Sequence, residues 1–478
     1  MVAFNTIRPL LSRAKNFQLH GTSRALRPNP CLAIVLGLLC TGVTLPMFAG
    51  DNIIDALKGG KVDLYLRYRF EYVDDGQPRV INNKLSNIPL QAAKASTLRT
   101  ALGYGTGLFY DFGAYVQFED VRALGNDAYN DGGTNGVVDH AVVVDPEGTE
   151  IQQANLRYVG FPYTTLKLGR QEIEHRLAPL HRYIGNILWR QNWQNFDGLR
   201  ALNEYLPATV IDYAYVWNTN RIFGEDNPIP DRSDFRMDSH FINILYSGFS
   251  YGKFEPYAYL LDFESATSEG FSTATVGLRF QGAYDLISYP VSILYSGEFA
   301  HQMDYGENPV DIDVHYYLVE LGGTHTFVNS PLEAITLKGS YEVLGGDGTV
   351  TVAGCCNGRV ARAFQTPLGT NHAFQGWADR FLITPGDGIE DLFVTLNVKF
   401  LGANFVAMWH DFSSSNDDYD YGTEWDLFVE KPIATNFLVG VKYAHYDADG
   451  NASNQARNSI SGQAFDLEKV WAYVQFKF

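Results

Sequence analysis

The 478-residue sequence is poor in cysteine, in methionine and in long apolar runs. It contains four cysteines and five methionines. After residue 50 it has no run of 18 or more apolar residues, which excludes a membrane-spanning helix from that part of the chain. Acidic residues are absent from the first 50 positions. The polypeptide therefore divides into a short acid-free leader and a long remainder without a helical membrane anchor.

The acid-free leader has the composition of a secretory signal. It carries five basic residues, and an apolar run over residues 31–43 follows them. A basic region before a short apolar run is typical of signal peptides, and this run is too short to favour the alternative of a retained membrane helix. We predict a signal peptide over residues 1–49, cleaved near Ala49, and one mature domain over residues 50–478.

Charge and aromatic content narrow the class of the mature domain. The net charge is −18, and nucleic-acid binding is disfavoured because phosphate contacts need a basic surface. The chain also contains 29 tyrosines, 31 phenylalanines and seven tryptophans. Such a content suits aromatic girdles at two membrane interfaces. Cys355 and Cys356 remain after the signal, and the sequence leaves open a vicinal disulfide or free or intermolecular thiols.

Apolar and polar residues alternate along the whole mature domain. In residues 61–72 one face is entirely apolar or aromatic, and the other carries Lys61, Asp63, Arg67 and Arg69. Successive side chains of a strand point to opposite faces, so this pattern predicts β-strands. The last ten residues alternate in the same way and resemble the closing strand of a bacterial outer-membrane barrel.

The lengths of the connections distinguish a membrane barrel from a soluble sandwich. We predict about eighteen strands, with short connections after even strands and mostly long ones after odd strands. Membrane barrels have short periplasmic turns and long extracellular loops, and they must close because lipid tolerates no unpaired sheet edge. The predicted fold is therefore all-β, a transmembrane antiparallel up-and-down barrel. Its longest loop, residues 345–389, is expected to fold over or into the pore as a gate.

Charged residues on the polar strand faces would line the barrel interior. In a narrow channel of low dielectric constant, cations lower the barrier for an anion. The same arginines could instead pair with acids on neighbouring strands and stiffen a filled interior, and the sequence leaves both interpretations open. The cations that alternation places inside, and that we take as candidate pore-lining residues, are Arg67, Arg69, Arg99, Arg157, Lys167, Arg200 and Arg279.

Several motifs point to a family. Residues 168–171 (Leu-Gly-Arg-Gln), 182–185 (Arg-Tyr-Ile-Gly) and 189–200, which begin Trp-Arg-Gln-Asn-Trp, resemble the central signature of the alginate-export family of outer-membrane proteins. A second block over residues 371–380 also resembles members of that family. The resemblance implies an eighteen-stranded barrel with a constricted, arginine-lined pore that passes an anionic polyuronate outward.

The resemblance adds four residues to the candidate pore-lining set. Arg170, Arg182, Arg190 and Asp197 stand in the matching blocks, and with Arg200 they are candidates for the constriction and its supporting ion pairs. Arg170 shares its strand parity with the apolar residues before it, so it would need a bulge or a strand end to face inward.

The expected function is an outer-membrane channel for anionic solutes or an alginate-like polyuronate. The alternative is an uptake porin of the same architecture that admits small carboxylates or aromatic compounds. The expected partners are an anionic saccharide or small-molecule solute, outer-membrane lipid and lipopolysaccharide, and the barrel-assembly machinery. We expect no cofactor and no metal, since the acidic loops lack ordered calcium-ligand spacing and are better explained as solvated surface.

Two other classes compete with a channel. An enzyme would need a histidine beside a nucleophile, but His175, His181, His301 and His372 stand in no recognisable nucleophile motif. We therefore expect no catalysis. An adhesin or structural barrel would have a completely filled interior.

Overall fold

The protein is described by a computed structural model whose chain divides into residues 1–49 and 50–478. The predicted signal peptide and its cleavage site lie outside the described residues. No helix in the described part is long and apolar enough to cross a membrane. The structure describes residues 52–81, 84–125, 128–229, 231–286, 289–451, 453–455 and 462–478.

Strands are the main regular structure of the described chain, and helix is scarce. A helix, α1 (Ile53–Lys58), precedes the first strand, and Asn52 caps it by accepting a hydrogen bond from the Ile54 amide. The strands are β1 (Lys61–Asp75), β2 (Pro78–Ile81), β3 (Lys84–Pro89), β4 (Ala93–Gly105), β5 (Phe112–Ala123), β6 (Gly148–Phe161), β7 (Thr164–Gln171), β8 (Asn195–Asn203), β9 (Thr209–Asn220), β10 (Asp234–Phe249), β11 (Gly252–Leu261), β12 (Thr273–Asp285), β13 (Val291–Asp304), β14 (Asp313–Thr326), β15 (Leu332–Leu344), β16 (Gly346–Thr351), β17 (Arg359–Ala363), β18 (Ile389–Phe400), β19 (Ala403–Ser413), β20 (Asp420–Ala434), β21 (Phe437–Ala448) and β22 (Leu467–Lys477).

Eighteen of these strands form one closed antiparallel sheet. The order around the ring is β1, β4 to β15, β18 to β22, and back to β1. The ring closes where β1 pairs with β22, for example Arg67 opposite Gln475, while its other edge pairs with β4. The predicted eighteen-stranded barrel is confirmed. The pairs β2–β3 and β16–β17 are separate two-stranded hairpins inside long connections, and the sequence did not predict them.

The connections are sorted by length between the two rims. The turn rim carries the short connections, such as residues 162–163 and 401–402. Leu401 and Gly402 both have positive φ, the conformation that matches a two-residue turn to the twist of its strands. The loop rim carries the long connections, of which residues 345–388 are the longest. Cys355 and Cys356, in this longest connection, are joined by a disulfide.

The two barrel faces differ in polarity as the alternation predicts. On the outer face, Leu102, Leu156 and Leu337 expose 50%, 54% and 55% of their surface. Such exposure in water would be costly, but an apolar outer band is what lipid requires. On the inner face of β1 and β4, Arg67, Arg69 and Arg99 are buried. Something inside the barrel must therefore cover these arginines.

Two long connections turn inward from the loop rim and provide that cover. We call residues 172–194, between β7 and β8, the first inner segment, and residues 364–388, between β17 and β18, the second inner segment. They contact each other directly, since the Gly185 amide donates to the Leu368 carbonyl (3.0 Å) and the Thr370 amide to the His181 carbonyl (2.8 Å). Residues 345–389 therefore comprise the β16–β17 hairpin and a segment that enters the barrel.

Candidate functional site: the barrel interior

The first inner segment crosses the interior from one wall to the other. At one end Arg176 pairs with Glu298 of β13 at 2.7 Å, and at the other end Arg190 pairs with Glu71 of β1 at 3.1 Å. β1 and β13 lie on nearly opposite sides of the ring. The segment thus spans the lumen and is anchored to both walls by buried ion pairs.

The β1 side of this anchorage is a dense charge network. Arg69 pairs with Glu71 at 3.1 Å and with Asp145 of the loop before β6. Arg67 donates to the Gln191 side chain (2.9 Å) and to the carbonyl of Leu188 (2.7 Å). Breaking one partner of a buried ion pair typically costs about 3–5 kcal/mol, because the other charge is left uncompensated. These arginines therefore hold the first inner segment in place.

Further buried arginines extend the network around the wall. Arg99 of β4 pairs with Glu119 of β5, and its guanidinium lies 3.9 Å from the ring centre of Trp193. Arg182 of the first inner segment pairs with Glu342 of β15 at 3.1 Å and donates to Gln375 of the second at 2.9 Å. Arg182 thus ties both inner segments to one strand.

A lysine held among tryptophans joins the two inner segments to β21 and β22. The Lys442 Nζ lies 3.7 Å from the ring centre of Trp377, 4.4 Å from Trp189 and 5.5 Å from Trp471. An ammonium over aromatic faces is stabilised by their quadrupoles, more strongly when it is desolvated. Because Trp189 and Trp377 come from different inner segments, Lys442 holds them together.

The same lysine begins a chain of polar contacts. Lys442 Nζ donates to His372 Nε2 (2.7 Å), which fixes the tautomer in which His372 Nδ1 donates to Asp379 (2.6 Å). Asp379 also pairs with Lys469 of β22 at 2.7 Å. Next to it the Ala378 amide donates to Glu424 of β20 at 2.6 Å. The second inner segment is therefore fixed by charge-assisted bonds along the β20–β22 wall.

Towards the turn rim, three cations stand side by side on the inner face of neighbouring strands. Arg157 of β6 stands directly opposite Lys167 of β7, which stands directly opposite Arg200 of β8. We call these three residues the cation row. Arg200 pairs with Asp212 at 2.9 Å, whereas Arg157 and Lys167 have no ion-pair partner among the residues that the structure describes. Like charges directly opposite one another on adjacent strands are destabilising, so the row is a place where an anion is favoured.

A cavity of about 520 Å³ lies against strands β10 to β15, which follow the strands of the cation row around the ring. Leu180 of the first inner segment forms part of its lining. Its charged lining comes from Lys253, Arg279, Lys338 and Glu320. Lys338 pairs with Glu320 at 2.8 Å, and Arg279 lies 3.7 Å from Glu298. We call the turn-rim half of the interior, with this cavity and the cation row, the vestibule.

The candidate residues separate into two groups that the sequence could not distinguish. Arg157 and Lys167 are partly or fully exposed in the vestibule, and Arg200 and Arg279 border it while paired with acids. The candidates that are buried against the inner segments or lie within them are Arg67, Arg69, Arg99, Arg182 and Arg190. The structure therefore contains both of the arrangements that the sequence left open, cations facing space and cations paired with acids.

Arg170 and Asp197 lie apart from the rest, contrary to the expectation that they line the pore. They pair with each other at 2.9 Å, and Arg170 also pairs with Glu225 at 3.2 Å. The β7–β8 register runs without a shift from Leu168 to Arg170, so no bulge turns Arg170 inward. Arg170 therefore stays on the face of Leu168, which is half exposed on the outside of the barrel.

Sequence reasoning missed two important residues of the interior. Arg176 forms the far anchor of the first inner segment together with Glu298, which alternation does place on the inner face, and Lys253 borders the vestibule cavity. Lys253 lies on the polar parity of its strand, so alternation alone could have placed it as well. No local signal could have found Arg176, because its position depends on a segment that crosses the barrel.

Three buried histidines in the inner segments predict a response to acid. Burial lowers the pKa of His175 and His181 to about 4, and burial with the nearby Lys442 lowers that of His372 to about 3. Once released, each would regain its ordinary pKa of about 6.5. Protonation therefore favours the released state as pH falls below about 6.5, increasingly so until about pH 3–4. We expect planar-bilayer recordings to show rising conductance and noise between about pH 6.5 and 4.

A control separates these histidines from general acid effects. His325 of β14 is not part of either inner segment, so His325→Ala should leave the pH response unchanged. His372→Gln removes one titrating group and should flatten the response. A conductance that does not change with pH over this range would contradict the role of the three histidines.

The comparisons with known proteins agree with this architecture. A family model described as Alginate export matches residues 61–303, slightly more than half of the chain. The sequence has no match among curated proteins. Among solved structures, OccAB4 of Acinetobacter baumannii is 12% identical with a TM-score of 0.61, and the alignment covers 89% of this chain and 99% of that one. OccAB2 of the same species is 14% identical with a TM-score of 0.62, and the alignment covers 89% of this chain and 99% of that one.

A third solved structure was determined with a small molecule. OpdK of Pseudomonas aeruginosa, in its structure with vanillate, is 12% identical with a TM-score of 0.59, covering 88% of this chain and 99% of that one. At these identities the likeness to solved structures concerns the fold alone.

Proposed function

We infer the cargo from the premise that this chain belongs to the alginate export family and is a channel of the bacterial outer membrane. In such barrels the short turns face the periplasm and the long loops face outward, so the vestibule opens to the periplasm. We propose that the channel passes an anionic polyuronate from the vestibule outward. The observation that carries this proposal is the cation row, in which Arg157 and Lys167 have no carboxylate partner among the described residues.

A polyuronate fits this row better than a neutral saccharide does. Neighbouring strands are about 4.8 Å apart, so Arg157 and Lys167 place two positive charges side by side, with Arg200 and its partner Asp212 on the next strand. A polymer with one carboxylate on each sugar unit can contact both positive charges at once. The field of these charges raises the local concentration of anions at the periplasmic mouth. Exposed acids of the loop rim, such as Asp418 and Asp420, lower the local concentration of anions at the outer mouth, which favours export over uptake.

One observation favours the alternative of uptake of small carboxylates or aromatic compounds. Both inner segments lie across the lumen and are held by buried ion pairs, and the vestibule cavity of about 520 Å³ suits a small solute better than a chain. OpdK, which has a similar fold, was solved with vanillate. Passage of a polymer requires a larger movement of the inner segments than passage of a small carboxylate.

Competition in a conductance assay tests the proposal. The purified protein in planar bilayers should conduct with anion preference, because Arg157 and Lys167, which pair with no acid in the described ranges, lie at the periplasmic mouth. Oligomannuronate or oligoguluronate added on that side should reduce the current at a lower concentration than monomeric uronate or simple carboxylates. A neutral oligosaccharide of equal length is the matched control. Equal block by oligomer and monomer would support the small-solute alternative, and the absence of anion preference would contradict both.

We further propose that the protein catalyses no reaction. His175 lies 3.5 Å from Asp212 and 3.0 Å from the Tyr259 hydroxyl, and His372 is held between Lys442 and Asp379. These contacts support a structural role for both histidines in holding the inner segments.

The remaining partners follow from the location in the outer membrane. We propose that the apolar outer band contacts lipid and that the loop rim contacts lipopolysaccharide. We also propose that the leader over residues 1–49 directs secretion and that the barrel-assembly machinery inserts the folded sheet.

A further inference from the structure

Two histidines and an aspartate meet on the outer surface of the barrel, away from the lumen. His301 of β13 stands directly opposite His315 of β14, and Asp313 lies two residues before His315 on the same strand face. One ligand atom from each residue lies within 4.8 Å of the other two. Strand pairing thus brings three metal-ligand side chains together without any contribution from a flexible loop.

Their location is the outer face near the loop rim. His301 shares its strand parity with Phe299, and His315 shares its parity with Tyr317, which exposes 46% of its surface on the outside. Both strands reach the loop rim at residues 305–312, just beyond the cluster. The cluster is therefore open to the surroundings of the outer leaflet and not to the channel.

The arrangement contains more than an ordinary histidine–aspartate pair. His301 Nε2 lies 2.7 Å from Asp313 Oδ1, which by itself would satisfy both groups. The second imidazole, His315, stacks on His301 with ring centres 4.7 Å apart and has no hydrogen-bond partner among the described residues. The ring nitrogens of His315 therefore remain available to a metal ion that His301 and Asp313 would also contact.

We propose that His301, Asp313 and His315 bind a divalent transition-metal ion, with Zn²⁺ as the best-suited probe. Imidazole and carboxylate are common ligands of Zn²⁺, and three protein ligands leave a coordination position free. Water or a phosphate oxygen can take that position on the exposed side. Binding displaces any proton shared between His301 and Asp313 and needs no movement of the backbone. The site is independent of the cargo and of the inner segments.

The test uses the whole mature protein in detergent, without a histidine tag. Isothermal titration with Zn²⁺ should show one tight equivalent. Each of the variants His301→Ala, His315→Ala and Asp313→Asn should weaken binding by at least about tenfold, since each removes a ligand. Replacing Zn²⁺ with Co²⁺ should give an absorption band in the visible range that these variants lose.

His325→Ala is the matched control, because His325 lies on the same strand and the same parity of β14 but outside the cluster. This variant should bind as the unaltered protein does. Heat-dependent migration in SDS gels shows whether each variant still forms the barrel. Tight Zn²⁺ binding that survives His301→Ala together with His315→Ala would overturn the proposal. A folded, unaltered protein that binds no Zn²⁺ would overturn it as well.

Discussion

Replacing residues 364–388 with a short glycine-serine linker is expected to raise the single-channel conductance several-fold. The second inner segment crosses part of the lumen between β15 and β22, where Gln375 contacts Glu342 and Asp379 contacts Lys469. The ring of eighteen strands forms its hydrogen bonds without this segment. Removing the segment should therefore widen the water-filled path while the barrel stays closed. Planar-bilayer recordings of the purified variant measure the change.

A shorter deletion in the same connection controls for disturbance of the loop rim. Removing residues 352–358 shortens the tip of the β16–β17 hairpin and takes away the Cys355–Cys356 disulfide, but it leaves the second inner segment complete. This control should keep the conductance of the unaltered protein. If the larger deletion forms a folded barrel whose conductance is unchanged, the second inner segment does not restrict the path.

Charge reversal in the cation row is expected to remove the anion preference or turn it into a cation preference. Arg157→Glu together with Lys167→Glu changes the charge at the periplasmic mouth by four units, and neither residue has an ion pair to break within the described part of the chain. Arg200 is left in place because it is bonded to Asp212 and to the Glu172 carbonyl. The field of exposed charges extends about 10 Å at 0.1 M salt but only about 3 Å at 1 M. The effect on the reversal potential should therefore shrink as salt increases.

The matched control reverses a cation that faces outward. Arg122 of β5 is half exposed on the outer face near the loop rim, where it pairs with Asp120 at 2.7 Å. Arg122→Glu should leave the ion selectivity unchanged. A double variant with the selectivity of the unaltered protein would show that the row does not control which ions enter. Anion preference would then have to come from other cations of the wall, such as Lys253 and Arg279.

The fold was predictable because its signal is local. Apolar and polar residues alternate with period two along the barrel strands, as in residues 61–72. The short turns are the places where this alternation is briefly interrupted. All eighteen barrel strands were predicted in this way. The hairpins β2–β3 and β16–β17 were not, since they are short and lie within long connections that carry no clear alternation.

The interior was predictable only in part. Alternation correctly places both Arg67 and Lys167 on the inner face, but it cannot tell that the first is buried by backbone carbonyls and the second faces space. That difference depends on where residues 172–194 lie, which is decided by contacts with strands more than a hundred positions away. For Arg170, strand parity was the better guide. The family motif suggested that this residue faces the pore, but its parity places it on the outer face.

The position of the ring closure ties the sealing of the lumen to barrel assembly. The inner segments are held on both sides of the β1–β22 seam: Arg380 pairs with Asp75 of β1 at 2.8 Å, while Lys469 of β22 pairs with Asp379. A sheet still open at that seam lacks one half of these anchors. The packing of the inner segments therefore also favours pairing of the last strand, β22, with the first, β1. During insertion, the ring would close and the inner segments would fill the lumen in the same step. A closed but empty, freely conducting barrel would then not accumulate in the membrane.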